Sequence, residues 1–239
     1  MNARSSAVSP QSSRHAQSFG KKLKGEWLLK YSTLFVLFLL FGFSLTVDRF
    51  LTANNLLNII QQISMLTIVG AGLTFGFAAR EMDLSVGYMV GMAGILVPLM
   101  LVAGFPLPVA LLAGLAAGLV VGSINAILVT FVGVPSLIAT LAIGSILYGI
   151  NFLMTGGRAI YGGLPANYLW LGQGQLFGIP VLAYAMVIVV LFAWFLMERT
   201  VFGRYIYAVG GNLKAAELSG VNGRFYRAAA LVVCSILQR

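Results

Sequence analysis

Long apolar runs alternate with short polar or glycine-rich stretches over most of this chain. Runs of eighteen or more apolar residues indicate transmembrane helices, because the hydrocarbon core of a bilayer needs about twenty residues of helix. A last run, residues 228–237, is too short to cross, so the chain is expected to stop inside a seventh span. The six runs predicted to cross are 28–47, 56–79, 84–103, 107–132, 134–154 and 179–197.

This pattern predicts an all-α, polytopic membrane protein. Residues 1–26 are rich in Ser and Arg and are expected to form a disordered, basic cytoplasmic tail, whereas residues 27–239 form the transmembrane domain. The first span has no clear cleavage site after it and is interpreted as uncleaved. Residues 155–178 are rich in glycine and aromatic residues and are interpreted as a loop at the outer membrane surface.

Glycine and proline give two of the predicted spans a distinct character. The third run contains several glycines and Pro98, which predicts a helix that is broken or kinked near residues 82–98. In the fourth run Gly114, Gly118 and Gly122 repeat every four positions and therefore share one helix face. Another helix can approach such a face closely. Packing within the chain is the simpler use of this stripe, and a contact between two copies is the alternative.

The composition agrees with a membrane protein and sets its expected orientation. Apolar residues make up 59% of the chain and charged residues 9%, whereas a soluble domain carries roughly a quarter charged residues. The net charge of +9 lies in the tail and loops, which favours contact with membrane lipids over nucleic acid. With the N-terminus in the cytoplasm, twelve Lys and Arg lie inside, counting Lys30 near the start of the first span, and only Arg49 and Arg158 lie outside, with the terminal Arg239 unassigned. This distribution follows the positive-inside rule.

The sequence contains no familiar catalytic or metal-binding pattern. Walker A, HExxH and GxSxG motifs are missing from it. The single cysteine, Cys234, excludes an intramolecular disulfide and a cysteine metal cluster, and the single histidine, His15, lies in the tail. We therefore expect neither an enzyme nor a metal site.

Polar side chains within the predicted spans are candidates for a solute path. Asp83 lies between two apolar runs, and a carboxylate at mid-bilayer depth costs about 2.5–3.5 kcal/mol. We interpret Asp83 as bracing a broken helix in preference to contacting substrate, although these charges also fit a short cytoplasmic turn in which Arg80 neutralises an acid. Ser85, Asn125 and Thr140 either line a wet path with Asp83 or hydrogen-bond neighbouring helices. The scarcity of charge within the spans favours a neutral solute, such as a sugar, over an ion.

A compact basic segment, residues 199–227, separates the last two apolar runs. It carries five of the fifteen Lys and Arg and is built mainly from small residues. The predicted topology places it in the cytoplasm. Its size and charge suit a surface by which a membrane protein is gripped from the cytoplasm.

Several stretches of the sequence match a known family in order and spacing. They are Met-Asp-Leu-Ser-Val-Gly at 82–87, Val-Pro-Ser-Leu-Ile-Ala-Thr-Leu at 134–141, Gly-Gly at 156–157 and Phe-Gly-Arg-Tyr-Ile-Tyr-Ala-Val-Gly-Gly-Asn at 202–212. The chain resembles the permease subunits of ribose-type (simple-sugar) ATP-binding-cassette importers of bacteria. That family usually has two glycines within residues 79–81, where this chain has Ala-Arg-Glu, and continues with further spans beyond the last motif.

The resemblance implies a permease of the bacterial inner membrane that translocates a neutral simple sugar. It further implies a homodimeric or heterodimeric permease core, cytoplasmic ATPase subunits that bind ATP, and a periplasmic sugar-binding protein. The chain itself would bind no cofactor and catalyse no reaction. By the same resemblance a coupling helix docks on the ATPase, with small side chains for close docking and a glycine to end the helix. Its residues are Asn212, Ala215, Ala216, Leu218, Ser219 and Gly220.

Two other functions remain open at this level. A truncated permease would be a non-transporting fragment or a membrane scaffold. A stand-alone secondary carrier would be expected to show intramembrane ionisable residues and inverted repeats, which the sequence does not display. Co-purification with an ATPase separates the importer from both alternatives.

Overall fold

The computed structural model describes residues 31–47, 50–160 and 162–238. The expected tail, residues 1–26, and the first residues of the first predicted span lie outside these ranges. The chain divides into two compact units, Met1–Leu56 and Leu57–Arg239. In the first unit the described residues include α1, Tyr31–Leu45, a short apolar helix.

Helices provide nearly all the regular structure of the described residues. Four of them are long and apolar enough to cross a membrane when α4 and α7 are counted with the π-helical turns that extend them, Leu128–Val132 and Phe195–Arg199. The helical, polytopic membrane class is therefore confirmed, with α1 and α3 as shorter apolar helices. The helices after α1 are α2 (Ala53–Ala78), α3 (Val86–Val102), α4 (Leu107–Ile127), α5 (Ser136–Thr155), α6 (Ala166–Gln173), α7 (Val181–Trp194), α8 (Val201–Gly211), α9 (Leu213–Leu218) and α10 (Gly223–Leu237).

Proline and glycine set many of the helix boundaries. Proline fixes φ near the helical value and has no N–H to leave unpaired, so it suits the start of a helix. The left-handed conformation reverses the chain at a helix end, and glycine adopts it without steric cost. Gly133 (φ 84°) follows the π turn of α4, and Gly156 (φ 59°) follows α5. Helices α4 to α7 each begin directly after a proline: Pro106, Pro135, Pro165 and Pro180.

The helix predicted to be broken or kinked near residues 82–98 has no break between Val86 and Val102, which corrects the prediction of a break there. Helix α3 runs from Val86 through the buried Pro98 to Val102, and the non-helical backbone lies before it, at residues 81–85. Helices α4 and α5 pack against α3. Membrane helices tolerate proline where neighbouring helices support the freed backbone groups, so the proline alone did not determine a break.

The stretch predicted as a loop at 155–178 contains regular structure. Helix α6 occupies its middle, and strand β1 (Gln175–Leu176) pairs antiparallel with β2 (Ile179–Pro180). The connection consists of Phe177 and Gly178, both with positive φ (52° and 79°). Such a two-residue turn matches the twist of a hairpin. The hairpin leads directly into α7.

The glycine stripe on α4 serves packing within the chain. A Cβ added at Gly114 would lie 3.0 Å from Val97 of α3, and one at Gly122 would lie 2.7 Å from the Cβ of Ser235 in α10. Helix α10 also passes close to α2, where a Cβ at Gly72 would lie 3.0 Å from the backbone oxygen of Cys234. Small residues thus let α10 lie between α2 and α4 at short distance, as the intramolecular interpretation of the stripe expected.

The second unit has two ends that carry different segments. At one end the start of α5 meets the segment after α2, with Ser136 Oγ 3.1 Å from the N–H of Met82. Residue Gly210 of α8 contacts the backbone of Ala78 at the same end. At the opposite end α6 approaches α2 at Gln61, whose side-chain amide donates to the carbonyl of Gly172 at 2.7 Å. The segment 199–227 therefore lies at the same end as residues 78–85.

Candidate functional site

Asp83 is the centre of a buried polar network. Its side chain is 2% exposed, and Oδ1 accepts hydrogen bonds from the N–H and the hydroxyl of Ser85, at 2.9 Å and 2.5 Å. The other oxygen, Oδ2, faces α10, where the Ser235 hydroxyl lies 3.5 Å away and Cys234 Sγ 4.0 Å away. Hydrogen bonds to the charged form compensate a buried carboxylate for lost hydration.

The other residues singled out from the sequence lie in the same place. The fully buried Asn125 of α4 donates to Ser85 Oγ at 3.2 Å. Thr140 of α5 accepts from the N–H of Leu84 at 3.1 Å, and its hydroxyl lies within donating distance of the carbonyl oxygens of Met82 (3.2 Å) and Ser136 (2.8 Å). Asp83, Ser85, Asn125 and Thr140 are thus brought together, and they fasten residues 82–85 to α4 and α5.

The acid at position 81 has a partner that the sequence did not indicate. Glu81 is 4% exposed, and its Oε1 lies 2.5 Å from Nε of Arg227 in α10. The partner of Glu81 is therefore Arg227 and not Arg80, which the sequence had suggested as the base that neutralises an acid. Arg80 is exposed and adopts a left-handed backbone (φ 60°) in the turn where the resembled family usually has glycine. A non-glycine residue in that conformation costs roughly 1–2 kcal/mol.

Three polar caps define the helices of the segment 199–227. Thr200 accepts from Gly203 N–H at the start of α8, and Asn212 accepts from Ala215 N–H at 3.1 Å at the start of α9. Asn222 accepts from Phe225 N–H at 3.1 Å, so α10 begins five residues before the last apolar run. Such caps satisfy backbone donors that the first helical turn leaves unpaired.

Helix α9 has one exposed side and one anchored side. Leu218 is 89% exposed, which is unusual for a large apolar side chain, and Ala215 and Ser219 are also exposed. Ala216 is only 6% exposed and therefore holds α9 against the rest of the chain. Gly220, with φ 84°, ends the helix as expected for a glycine in this position.

Contacts between side chains fix the corner between α7 and α8. The Arg199 guanidinium lies 5.1 Å from the centre of the Trp194 ring, a cation–π contact. The Tyr207 hydroxyl donates to Glu198 at 3.4 Å. Burial, followed by the negative charge and the hydrogen bond of Glu198, raises the pKa of Tyr207. The phenol therefore stays a neutral donor over the physiological pH range.

The second unit has an open cavity at each of its two ends. One, of about 440 Å³, lies between α8 and α9 and is lined by small and polar residues that include Tyr205, Asn212 and Ser219. The other, of about 610 Å³, lies at the opposite end of the unit, beside Asn151 and Arg158. Among the residues that the structure describes, no group of three His, Cys, Asp or Glu is placed to hold a metal ion.

Residues 55–237 match the family described as the permease component of the branched-chain amino acid transport system. The match covers most of the chain, including the whole polar network and the segment 199–227. The chain belongs to this permease family. It is a transport component and not an enzyme, and it is a multi-pass membrane protein.

Similar curated proteins agree with the resemblance to ribose-type permeases. The ribose import permease protein RbsC of Escherichia coli (strain K12) is 34% identical over 215 residues, which cover 88% of this chain and 67% of the relative. The D-allose transport system permease protein AlsC of the same strain is 33% identical over 211 residues, 87% of this chain and 64% of the relative. The autoinducer 2 import system permease protein LsrC of E. coli O9:H4 (strain HS) is 36% identical over 196 residues, 82% of this chain and 56% of the relative.

The matched regions span 56% to 67% of the length of these relatives. Of the solved structures, none matches it.

Proposed function

We propose that this chain is the membrane-spanning permease part of an ATP-binding-cassette importer that carries a neutral simple sugar across the bacterial inner membrane. The observation that carries the proposal is the family match over residues 55–237. Two of the relatives are named for monosaccharides, ribose and D-allose. Ribose and D-allose are therefore the first solutes to test.

The interior chemistry of the described residues supports a neutral solute. Asp83 and Glu81, the acids between α2 and α3, are both buried and bonded to protein groups. An ion or proton route would require ionisable side chains that face the path.

In the proposed topology six spans place the N-terminus and the segment 199–227 in the cytoplasm. The excess of basic residues on that side supports this orientation. The common location of residues 78–85 and 199–227 at one end of the second unit is also what alternating spans require.

The proposed contact with the ATPase is the exposed side of α9. Ala215, Leu218 and Ser219 offer a small surface with one protruding apolar side chain, and Asn212 and Gly220 define the ends of the helix. Ala216 supports this surface from the inside. The ATPase binds the ATP, a second permease protomer completes the membrane core, and a periplasmic sugar-binding protein delivers the solute.

The test is affinity purification of the tagged chain from its own membranes, with partners identified by mass spectrometry. We expect an ATPase to co-purify with the unmodified chain and with Leu218→Met, which keeps an apolar side chain of similar volume. Leu218→Asp places a charge in the proposed contact and should lose most of the ATPase. If the unmodified chain recovers no ATPase, the importer assignment is wrong and the scaffold function is favoured.

A further inference from the structure

The segment between α2 and α3 is held by both helices that flank α9. Gly210, near the end of α8, lies so close to the backbone carbonyl of Ala78 that no Cβ would fit there. Arg227, in the second turn of α10, pairs with Glu81. Gly210 precedes α9 in the sequence and Arg227 follows it. Their partners, Ala78 and Glu81, are three residues apart. The helices before and after α9 therefore both contact residues 78–81.

Glu81 is firmly joined to the membrane helices on its own side. Its N–H donates to the carbonyl of Gly76 in α2 at 2.8 Å, and its side chain is almost fully buried. A buried carboxylate is stable when charged only if a partner compensates it, so Glu81 and Arg227 hold each other in one geometry. Because the Glu81 side chain is only 6% exposed and that of Arg227 is 25% exposed, water competes with this contact less than with an exposed ion pair.

The segment continues from Glu81 into the buried network. Two residues further on, Asp83 contacts α10 again through Ser235 and reaches Asn125 of α4 through Ser85. Ser85 is also the residue before α3. Residues 81–85 thus connect the start of α10, directly after the exposed helix α9, to the first turn of α3 and to α4.

We propose that the Glu81–Arg227 ion pair is the positioning contact that transmits movement of α9 and α10 to residues 81–85 and, through them, to α3 and α4. This inference rests on the proposed importer function. Neither residue contacts the solute in this role, and neither contacts ATP. Loss of the pair leaves docking of the ATPase intact but disconnects ATP hydrolysis from solute movement.

The test uses the full chain co-purified with its ATPase and reconstituted in proteoliposomes with the sugar-binding protein. Three quantities are measured: the ATPase retained, the rate of ATP hydrolysis, and the uptake of radiolabelled ribose and D-allose per ATP. In Glu81→Gln and Arg227→Gln we expect retention and hydrolysis near those of the unmodified chain. Uptake per ATP should fall about tenfold, within the usual range of coupling between sites.

Matched variants separate coupling from general stability. The exchange Glu81→Arg with Arg227→Glu restores the pair with reversed polarity and should recover most of the uptake per ATP. Arg80→Gln removes an exposed charge next to Glu81 and should change nothing. If Glu81→Gln does not accumulate in the membrane, Arg227→Lys serves instead, because it keeps the charge but moves the donor and should lower the same ratio partly.

The outcomes also separate this inference from the function on which it rests. Unchanged uptake per ATP in the single variants would overturn the transmission role while the importer assignment stands. Parallel loss of ATPase retention and uptake would reduce the pair to a structural contact and would also overturn it. Absence of an ATPase from the unmodified complex would overturn the proposed function and this inference together.

Discussion

Asp83 combines a negative charge with nearly complete burial, and its neighbours explain how the chain tolerates this. Four donors surround it, from Ser85, Ser235 and Cys234. The residue bonds to the helix that it precedes and also faces the last described helix. Its position is therefore one where a change of charge, with little change of shape, has a measurable structural cost.

We expect Asp83→Asn to destabilise the protein by roughly 1–3 kcal/mol. The asparagine amide has one acceptor atom fewer than the carboxylate, and its N–H groups would face the donors of Ser85 or Ser235. The measurement is thermal unfolding of the purified chain in detergent. Ser123→Ala is the control, since its exposed hydroxyl bonds only to its own helix at Leu119, and it should stay within about 0.5 kcal/mol of the unmodified chain. Equal stability of both variants would mean that Asp83 is not held as the structure describes.

Sequence reasoning found the members of this network but not all of their partners. Asp83, Asn125 and Thr140 stand out because each is a polar residue within or beside an apolar run. The pairing of Glu81 with Arg227 joins positions 146 apart, and spacing along the chain holds no information about such a contact. The nearest base in the sequence, Arg80, was the wrong partner because its left-handed turn leaves it exposed.

At the scale of elements, hydrophobic pattern predicted where helices lie better than where they are interrupted. The proline within α3 did not break the helix, since packing against α4 and α5 supports it. Helix α6 and the β1–β2 hairpin lay within a stretch whose glycines suggested an open loop. Such short elements depend on turns and tertiary contacts more than on periodicity.

Close packing of α10 on α4 gives an element-scale prediction. Gly122→Ala adds a Cβ that would lie 2.7 Å from the Cβ of Ser235, so the helices must separate. We expect a loss of roughly 1–3 kcal/mol, as for other overpacked sites. The measurement is the same unfolding transition in detergent.

Gly149→Ala is the matched control, because Gly149 also lies within a long helix but nothing lies within 4 Å of an added Cβ. The change should be neutral or should stabilise by up to about 1 kcal/mol, since alanine favours the helix more than glycine does. A Gly122→Ala variant that behaves like Gly149→Ala would contradict the tight α4–α10 contact.

At the scale of the whole molecule, the sequence predicted the membrane class and the family. The orientation of the chain in the membrane rests on the distribution of Lys and Arg between its two sides. The second unit has two distinct ends, and each offers one highly exposed apolar residue: Leu218 of α9 at 89% and Phe177 of the β1–β2 turn at 92%. The proposed topology places Leu218 in the cytoplasm and Phe177 outside. The two residues lie on opposite sides of the membrane if the chain crosses it an odd number of times between them.

Single-cysteine variants test this topology directly. Cys234→Ala removes the buried native thiol, and Leu218→Cys and Phe177→Cys then each provide one accessible reporter. A membrane-impermeant maleimide should label Phe177→Cys in intact spheroplasts, whereas Leu218→Cys should react only in inside-out vesicles or after solubilisation. The positive-inside distribution predicts this result. The reverse labelling pattern would invert the molecule and remove α9 from reach of any cytoplasmic ATPase. Labelling of both variants from one side would show that the helices between them do not cross an odd number of times.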